Sequence, residues 1–184
     1  MIDADLRRAL LANFPPGTSL AVVAPPDKSY VDLLAARGDG ARLLTLEGTW
    51  PEPSALGGVE HVVLEGIDDD DDPVGLLAAV RAAAPAARLF LVVSNAAHMR
   101  GLQSFFNGTP LARAHPLVQS EIEPLLLAGG WRPLTIDPIP DESIPLGQPL
   151  PFELTSPTIC FKINDGAVLE RARIRAFIAI ADRA

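Results

Sequence analysis

Lysine is scarce in this sequence: Lys28 and Lys162 are the only two in 184 residues, and the formal net charge is −8. Nucleic acids and anionic membranes are held by clustered Lys and Arg that displace counterions, so this balance argues against both as partners. Cysteine is rarer still. Cys160 stands alone, which excludes an intrachain disulfide, and among Ile159, Phe161 and Ile163 it reads as a small buried hydrophobe on a strand. No apolar run approaches the ~20 residues of a membrane-spanning helix. The opening Met-Ile-Asp-Ala-Asp-Leu-Arg-Arg lacks the basic-then-apolar order of a secretory signal, so the expected compartment is the cytoplasm. A Gly-x-Ser-x-Gly elbow, a Walker loop and a Gly-x-Gly-x-x-Gly fingerprint are all missing, which weakens hydrolase, nucleotide-triphosphatase and dehydrogenase readings. His61, His98 and His115 share no metal-ligand spacing, and no metal site is expected.

Aromatic residues make up 5% of the chain and apolar residues 48%, so Leu, Ile, Val and Ala must fill the core. The length suits one domain spanning 1–184. Leu6, Ala9 and Leu10 recur at helical spacing up to the breaker cluster Asn13 to Gly17, giving an N-terminal helix over 1–16. Short apolar runs at 19–24, 41–47, 61–64 and 88–93 predict strands. Helical patterns separate them, one with Tyr30, Leu33 and Leu34, another begun by Asp72 and Pro73 with Val74, Leu77, Ala78 and Val80 facing inward. This alternation predicts an α/β fold: a doubly wound, mostly parallel sheet in three layers, α/β/α.

Farther on, Met99, Leu102, Phe105 and Phe106 define a helix stopped by Gly108. Ser120 with Glu123 reads as a capping box for a helix that runs to Gly129-Gly130. Strands over 131–136 and 158–163 are expected to form an antiparallel edge pair, joined by a packed Pro-rich excursion over 137–157. A last helix over 167–181 carries apolar residues around more than one stripe, which suits a homodimer or another partner.

The order of elements, with Val62-Val63-Leu64-Glu65-Gly66-Ile67, Asp72-Pro73-Val74-Gly75-Leu76-Leu77, Leu89 to Asn95 followed by His98, and Ser120 to Trp131, resembles the class I S-adenosylmethionine-dependent methyltransferases from Ser19 to Ile163. The resemblance implies a Rossmann-like fold and a small-molecule or sugar-derived methyl acceptor. It places S-adenosylmethionine against Ala24, Asp27, Lys28, Glu47, Asp68 and Asn95, with Glu47 on the ribose hydroxyls. His98 or Glu65 would be the general base that deprotonates the acceptor. The pattern departs from the family at the turn after the first strand. There the family places glycines so that main chain can approach the cofactor, and this chain reads Ala24-Pro25-Pro26-Asp27-Lys28-Ser29-Tyr30. Two prolines remove two N–H donors and fix φ. The segment between Glu47 and Val59 is also short for the helix and edge strand found there in the family. Two functions therefore stand open: methyl transfer from S-adenosylmethionine, or a non-catalytic interaction module on the same fold.

The same residues have simpler uses. Glu47 suits an exposed strand end, Asp27 and Ser29 a helix N-terminus, and His98 a helix cap. The run Asp68 to Asp72 suits a solvated segment beside a helix N-terminus better than a cation site, because the alternating spacing of a calcium loop is missing.

Overall fold

Leu20–Ala24 has no face to show to solvent. All five of its residues are buried, as a strand covered by helices on both sides requires. In the computed structural model, which describes residues 2–26, 28–38, 40–45, 53–108, 116–144, 146–155 and 160–184, this strand is β1. It lies between β2 (Arg42–Thr45) and β3 (His61–Glu65), parallel to both. β3 in turn pairs in parallel with β4 (Arg88–Ser94). Alternate residues of β1 face opposite layers. Ala21 and Val23 join Val62, Leu64, Leu89 and Leu91 on one side, whereas Leu20, Val22 and Ala24 join Val63 and Val92 on the other.

The first layer is covered by α3 (Pro73–Ala83) and α5 (Gln119–Ala128), the second by α1 (Ala4–Ala12) and α2 (Lys28–Arg37). Asp72 caps α3 by accepting the Gly75 N–H at 2.9 Å, with Pro73 in the first turn, as the sequence predicts. Two residues expected to face inward do not: Val74 is 37% exposed and Ala78 is exposed, and the inner face of α3 is instead Leu76, Leu77, Val80 and Ala83. Likewise α1 turns Leu6, Leu10 and Leu11 inward and leaves Ala9 outside. The start of α5 also lies earlier than Ser120. Glu121 reaches back to the Val118 N–H at 2.9 Å, so the acidic half of the capping box belongs to Glu121 and not to Glu123.

The C-terminal segment departs most from the sequence pattern. The expected helix over 167–181 is a short α6 (Gly166–Ala172) followed by a ten-residue strand, β8 (Ile174–Arg183). β8 runs antiparallel between β4 and β5 (Trp131–Pro140), which gives the strand order β2-β1-β3-β4-β8-β5. Its apolar residues lie all round because both faces are covered: Phe177, Ala179 and Ala181 belong to the first layer, and Ile178 packs against the second. The exposed helix face on which the homodimer expectation rested therefore does not exist. The segment 158–163 pairs elsewhere too. β7 (Cys160–Ile163) and β6 (Phe152–Thr155) make a separate antiparallel hairpin, and Cys160 on it is exposed and not buried.

That hairpin, α4 (Met99–Phe106) and α6 surround a small third core of Met99, Ile144 and Leu169, against which Phe152 and Leu154 of the Pro-rich excursion pack, whereas Leu146 and Leu150 are exposed. β5 is the sheet edge and carries Pro133, Pro138 and Pro140. They cannot donate to a further strand, so they end the sheet there.

The turn from α5 into β5 presses on α3. Trp131 is fully buried and donates its indole N–H to the Leu77 carbonyl at 3.0 Å. A Cβ on Gly129 would lie 2.4 Å from the Leu77 Cβ. We expect Gly129→Ala to destabilise the fold by about 1–3 kcal/mol through overpacking, read by urea denaturation. An unchanged midpoint would show that α5 can move away from α3 at no cost.

Candidate functional site

In an open α/β sheet, ligands bind beyond the carboxyl ends of the strands. Here β1, β3 and β4 end side by side, with Val23 beside Leu64 and Glu65 beside Val92. Ala24, Glu65 and Ser94 are therefore neighbouring strand ends, all buried.

Glu65 ends β3 beneath α1 and α2. Its carboxylate is ion-paired with Arg7, whose Nε donates to Oε2 at 3.0 Å and whose Nη2 donates to Oε1. The Tyr30 hydroxyl donates to Oε2 at 2.8 Å, and Arg7 Nη1 donates to Ser29 Oγ at 2.8 Å. The guanidinium also lies over the Tyr30 ring, 4.9 Å from its centroid. Burial raises the Tyr30 hydroxyl well above its ordinary value, and the charge of Glu65 beside it adds to that. This hydroxyl stays protonated and donates. Both oxygens of Glu65 are thus engaged within the chain.

The next residue, Gly66, has φ +91°, a left-handed conformation that favours glycine. A Cβ there would lie 2.6 Å from Pro25 Cγ, so the turns after β1 and β3 are in direct contact. Asp68, on the 3-10 turn Ile67–Asp69, is buried. Asp27 and Glu47 lie outside the described residues, and so does the Lys28 side chain.

Asn95 follows β4. Its side-chain amide donates to the Ile174 carbonyl at 2.7 Å and the Arg171 carbonyl at 3.5 Å, and its oxygen accepts the Ala97 N–H at 3.0 Å. His98, just before α4, is buried and its Nε2 lies 3.1 Å from Asp141 Oδ2. Asp141 also meets Arg100 Nε at 3.2 Å and accepts the Ser143 N–H at 2.9 Å. Burial pushes the His98 imidazole below its ordinary value, against the pull of Asp141. Burial works to raise Asp141, but hydrogen bonds from Ser143 and His98 outweigh it and hold the carboxyl below the usual range. The expected site residues are therefore divided: Ala24, Glu65 and Asp68 lie at β1 and β3, Asn95 at the β8 junction, and His98 against the excursion.

The sequence reading missed an open cleft of about 490 Å³ beyond β4, toward β5. Ile136, Ile174 and Phe177 line it together with Gln119, Glu123 and Arg171, and Asn95 lies at its edge. Only Asn95, on the β4 turn, pointed there. Among the described residues no group of three or more His, Cys, Asp or Glu has metal-binding geometry, and no helix is long and apolar enough to cross a membrane.

A S-adenosylmethionine-dependent methyltransferase from Archaeoglobus fulgidus superposes with a TM-score of 0.58 at 13% identity, over 98% of this chain and 95% of that one. The fold is that of the class I methyltransferases. The CcbJ methyltransferase from Streptomyces caelestis gives 0.52 at 10% identity, over 99% and 90% of the two chains. The Burkholderia thailandensis 1,6-didemethyltoxoflavin-N1-methyltransferase, solved with 1,6-didemethyltoxoflavin and S-adenosylhomocysteine bound, gives 0.51 at 11% identity, over 98% and 78%. No family model matches the sequence, and no curated protein matches it.

Arg7→Met leaves Glu65 buried without its cation, and we expect a loss of about 3–5 kcal/mol by chemical denaturation, with most of it recovered in Arg7→Met/Glu65→Leu. A single variant as stable as the parent would remove the ion pair from the account. For His98 the folded chain binds a proton less readily than the unfolded chain, whose imidazole titrates near 6.5. Its contribution to stability is therefore complete above that pH and is lost as pH falls through it. His61, also lowered by burial, acts in the same direction. Melting temperatures between about pH 7.5 and about pH 5 should fall less steeply in His98→Asn, which keeps a donor for Asp141; equal slopes would contradict this.

Proposed function

We propose that this protein is a methyltransferase-like module that binds through the carboxyl end of its sheet and does not transfer methyl groups. The whole chain is read as one domain, working in the cytoplasm. The observation that carries the proposal is the contact between Pro25 and Gly66. The family's cofactor needs main chain to approach it at the turn after the first strand, close to the end of the strand corresponding to β3. Here a proline ring of the turn after β1 packs against Gly66, which supports the reading that main chain does not make that approach. The polar groups beside it support the same reading, because Glu65 is neutralised by Arg7 and held by Tyr30.

One observation favours the second reading, methyl transfer from S-adenosylmethionine to a small-molecule or sugar-derived acceptor: the cleft opens beside the β4 turn, where an acceptor could sit. In that reading Ala24, Asp27, Lys28, Glu47, Asp68 and Asn95 would bind the cofactor. His98 or Glu65 would be the base; both oxygens of Glu65 are engaged by Arg7 and Tyr30, and His98 is held by Asp141, so either would have to exchange a partner to serve. The chemistry would be in-line displacement, with the protein positioning donor and acceptor.

Thermal unfolding of the full chain with S-adenosylmethionine or S-adenosylhomocysteine separates the two. A ligand bound only by the native state stabilises it by about 2.7 kcal/mol at one hundred times its Kd. We expect no rise in melting temperature at millimolar concentrations. A rise that grows with ligand concentration would reject the non-catalytic reading.

A further inference from the structure

The cleft beyond β4 differs in kind from the crevice at β1 and β3. At β3 the carboxylate is satisfied from within the chain. In the cleft, Gln119, Ser120 and Glu123 project from the first turns of α5, at spacings that put them on one helix face. Glu123 is exposed and has no ion pair or hydrogen bond with any described residue. Arg171 enters from α6, and its Nε donates to its own helix, at the Ala167 carbonyl, 3.3 Å away. That bond leaves the two terminal nitrogens of the guanidinium for another acceptor. Between these charges the floor is apolar, formed by Ile136 of β5 with Ile174 and Phe177 of β8. The Asn95 amide fixes the α6–β8 junction through the Arg171 and Ile174 carbonyls, so the wall that carries the cation is tied to the sheet.

We propose that this cleft is a binding site for a small ring-bearing zwitterion. Its ring lies on Ile136, Ile174 and Phe177, its carboxylate meets Arg171, and its ammonium group meets Glu123. A guanidinium offers paired donors that match a carboxylate, and an apolar floor with a few convergent polar groups is the ordinary form of a small-molecule site. The volume, about 490 Å³, is of the size that takes such a molecule. The site does not depend on the Pro25 contact and is tested independently of S-adenosylmethionine.

The test is an amide NMR titration of the full chain with three probes: 4-(aminomethyl)benzoate, benzoate and benzylamine. The first should bind about tenfold more tightly than either of the others, as one added charge-assisted hydrogen bond predicts. Its shifts should fall on 119–123 and 171–177. Arg171→Gln should abolish its advantage over benzylamine, and Glu123→Gln its advantage over benzoate, while the remaining amide spectrum shows each variant folded. Equal binding of the three probes, shifts centred elsewhere, or no shift at millimolar concentration would overturn the proposal.

Discussion

A carboxylate at the end of a central strand, covered by helices and removed from water, has to find a cation, because isolated burial of that charge costs far more than a domain can supply. Glu65 finds Arg7, and the consequences reach across the carboxyl edge of the sheet. The ion pair brings α1 over the end of β3, and the Tyr30 hydroxyl brings α2 to the same point. With both helices drawn in, the β1 turn lies against Gly66. At this edge of the sheet the described polar groups engage one another. A cleft lies farther along, where β8 stands beside β4.

β8 determines what that second region can be. An antiparallel strand between β4 and β5 carries its first residues, Ile174 to Phe177, to the end of the sheet where β4 finishes, since Ser94 pairs with Ala176. α6, directly before it, is thereby brought beside the β4 turn, and Arg171 comes with it. The prolines of β5 close the outer edge, so the sheet does not grow by recruiting another strand there. The small core of Met99, Ile144 and Leu169 then holds the excursion over α4 and α6.

The parts of this arrangement that were legible in the sequence are those set by local pattern. β1, β3 and β4 are short apolar runs between breakers, and Asp72-Pro73 marks a helix start by chemistry that acts over four residues or fewer. β8 was illegible for a definite reason. Ile174, Phe177, Ile178 and Ala181 stand at i, i+3, i+4 and i+7, the spacing of a helical face, while the same segment also supplies apolar residues to both faces of a strand. Only the vacant place between β4 and β5, a tertiary fact, decides between them. Cys160 failed for a similar reason: on a two-stranded hairpin outside the main sheet, an apolar neighbourhood in sequence does not make a buried one in space. The fate of Glu65 was equally hidden, since Arg7 is 58 residues away and Tyr30 is 35.

The hydrogen bonds of Asn95 decide its role. As a residue just past a central strand it invites assignment to a ligand, yet its amide and its oxygen are both taken up by main chain. A side chain so engaged has little left to offer a bound molecule, but it can decide where other groups stand. By holding the carbonyls of Arg171 and Ile174, it fixes one charged wall and part of the apolar floor of the cleft relative to β4. The division of labour follows from solvation. Buried polar groups at the strand ends must satisfy one another and so become framework, whereas groups at the mouth, still hydrated in the free protein, can exchange that water for a ligand.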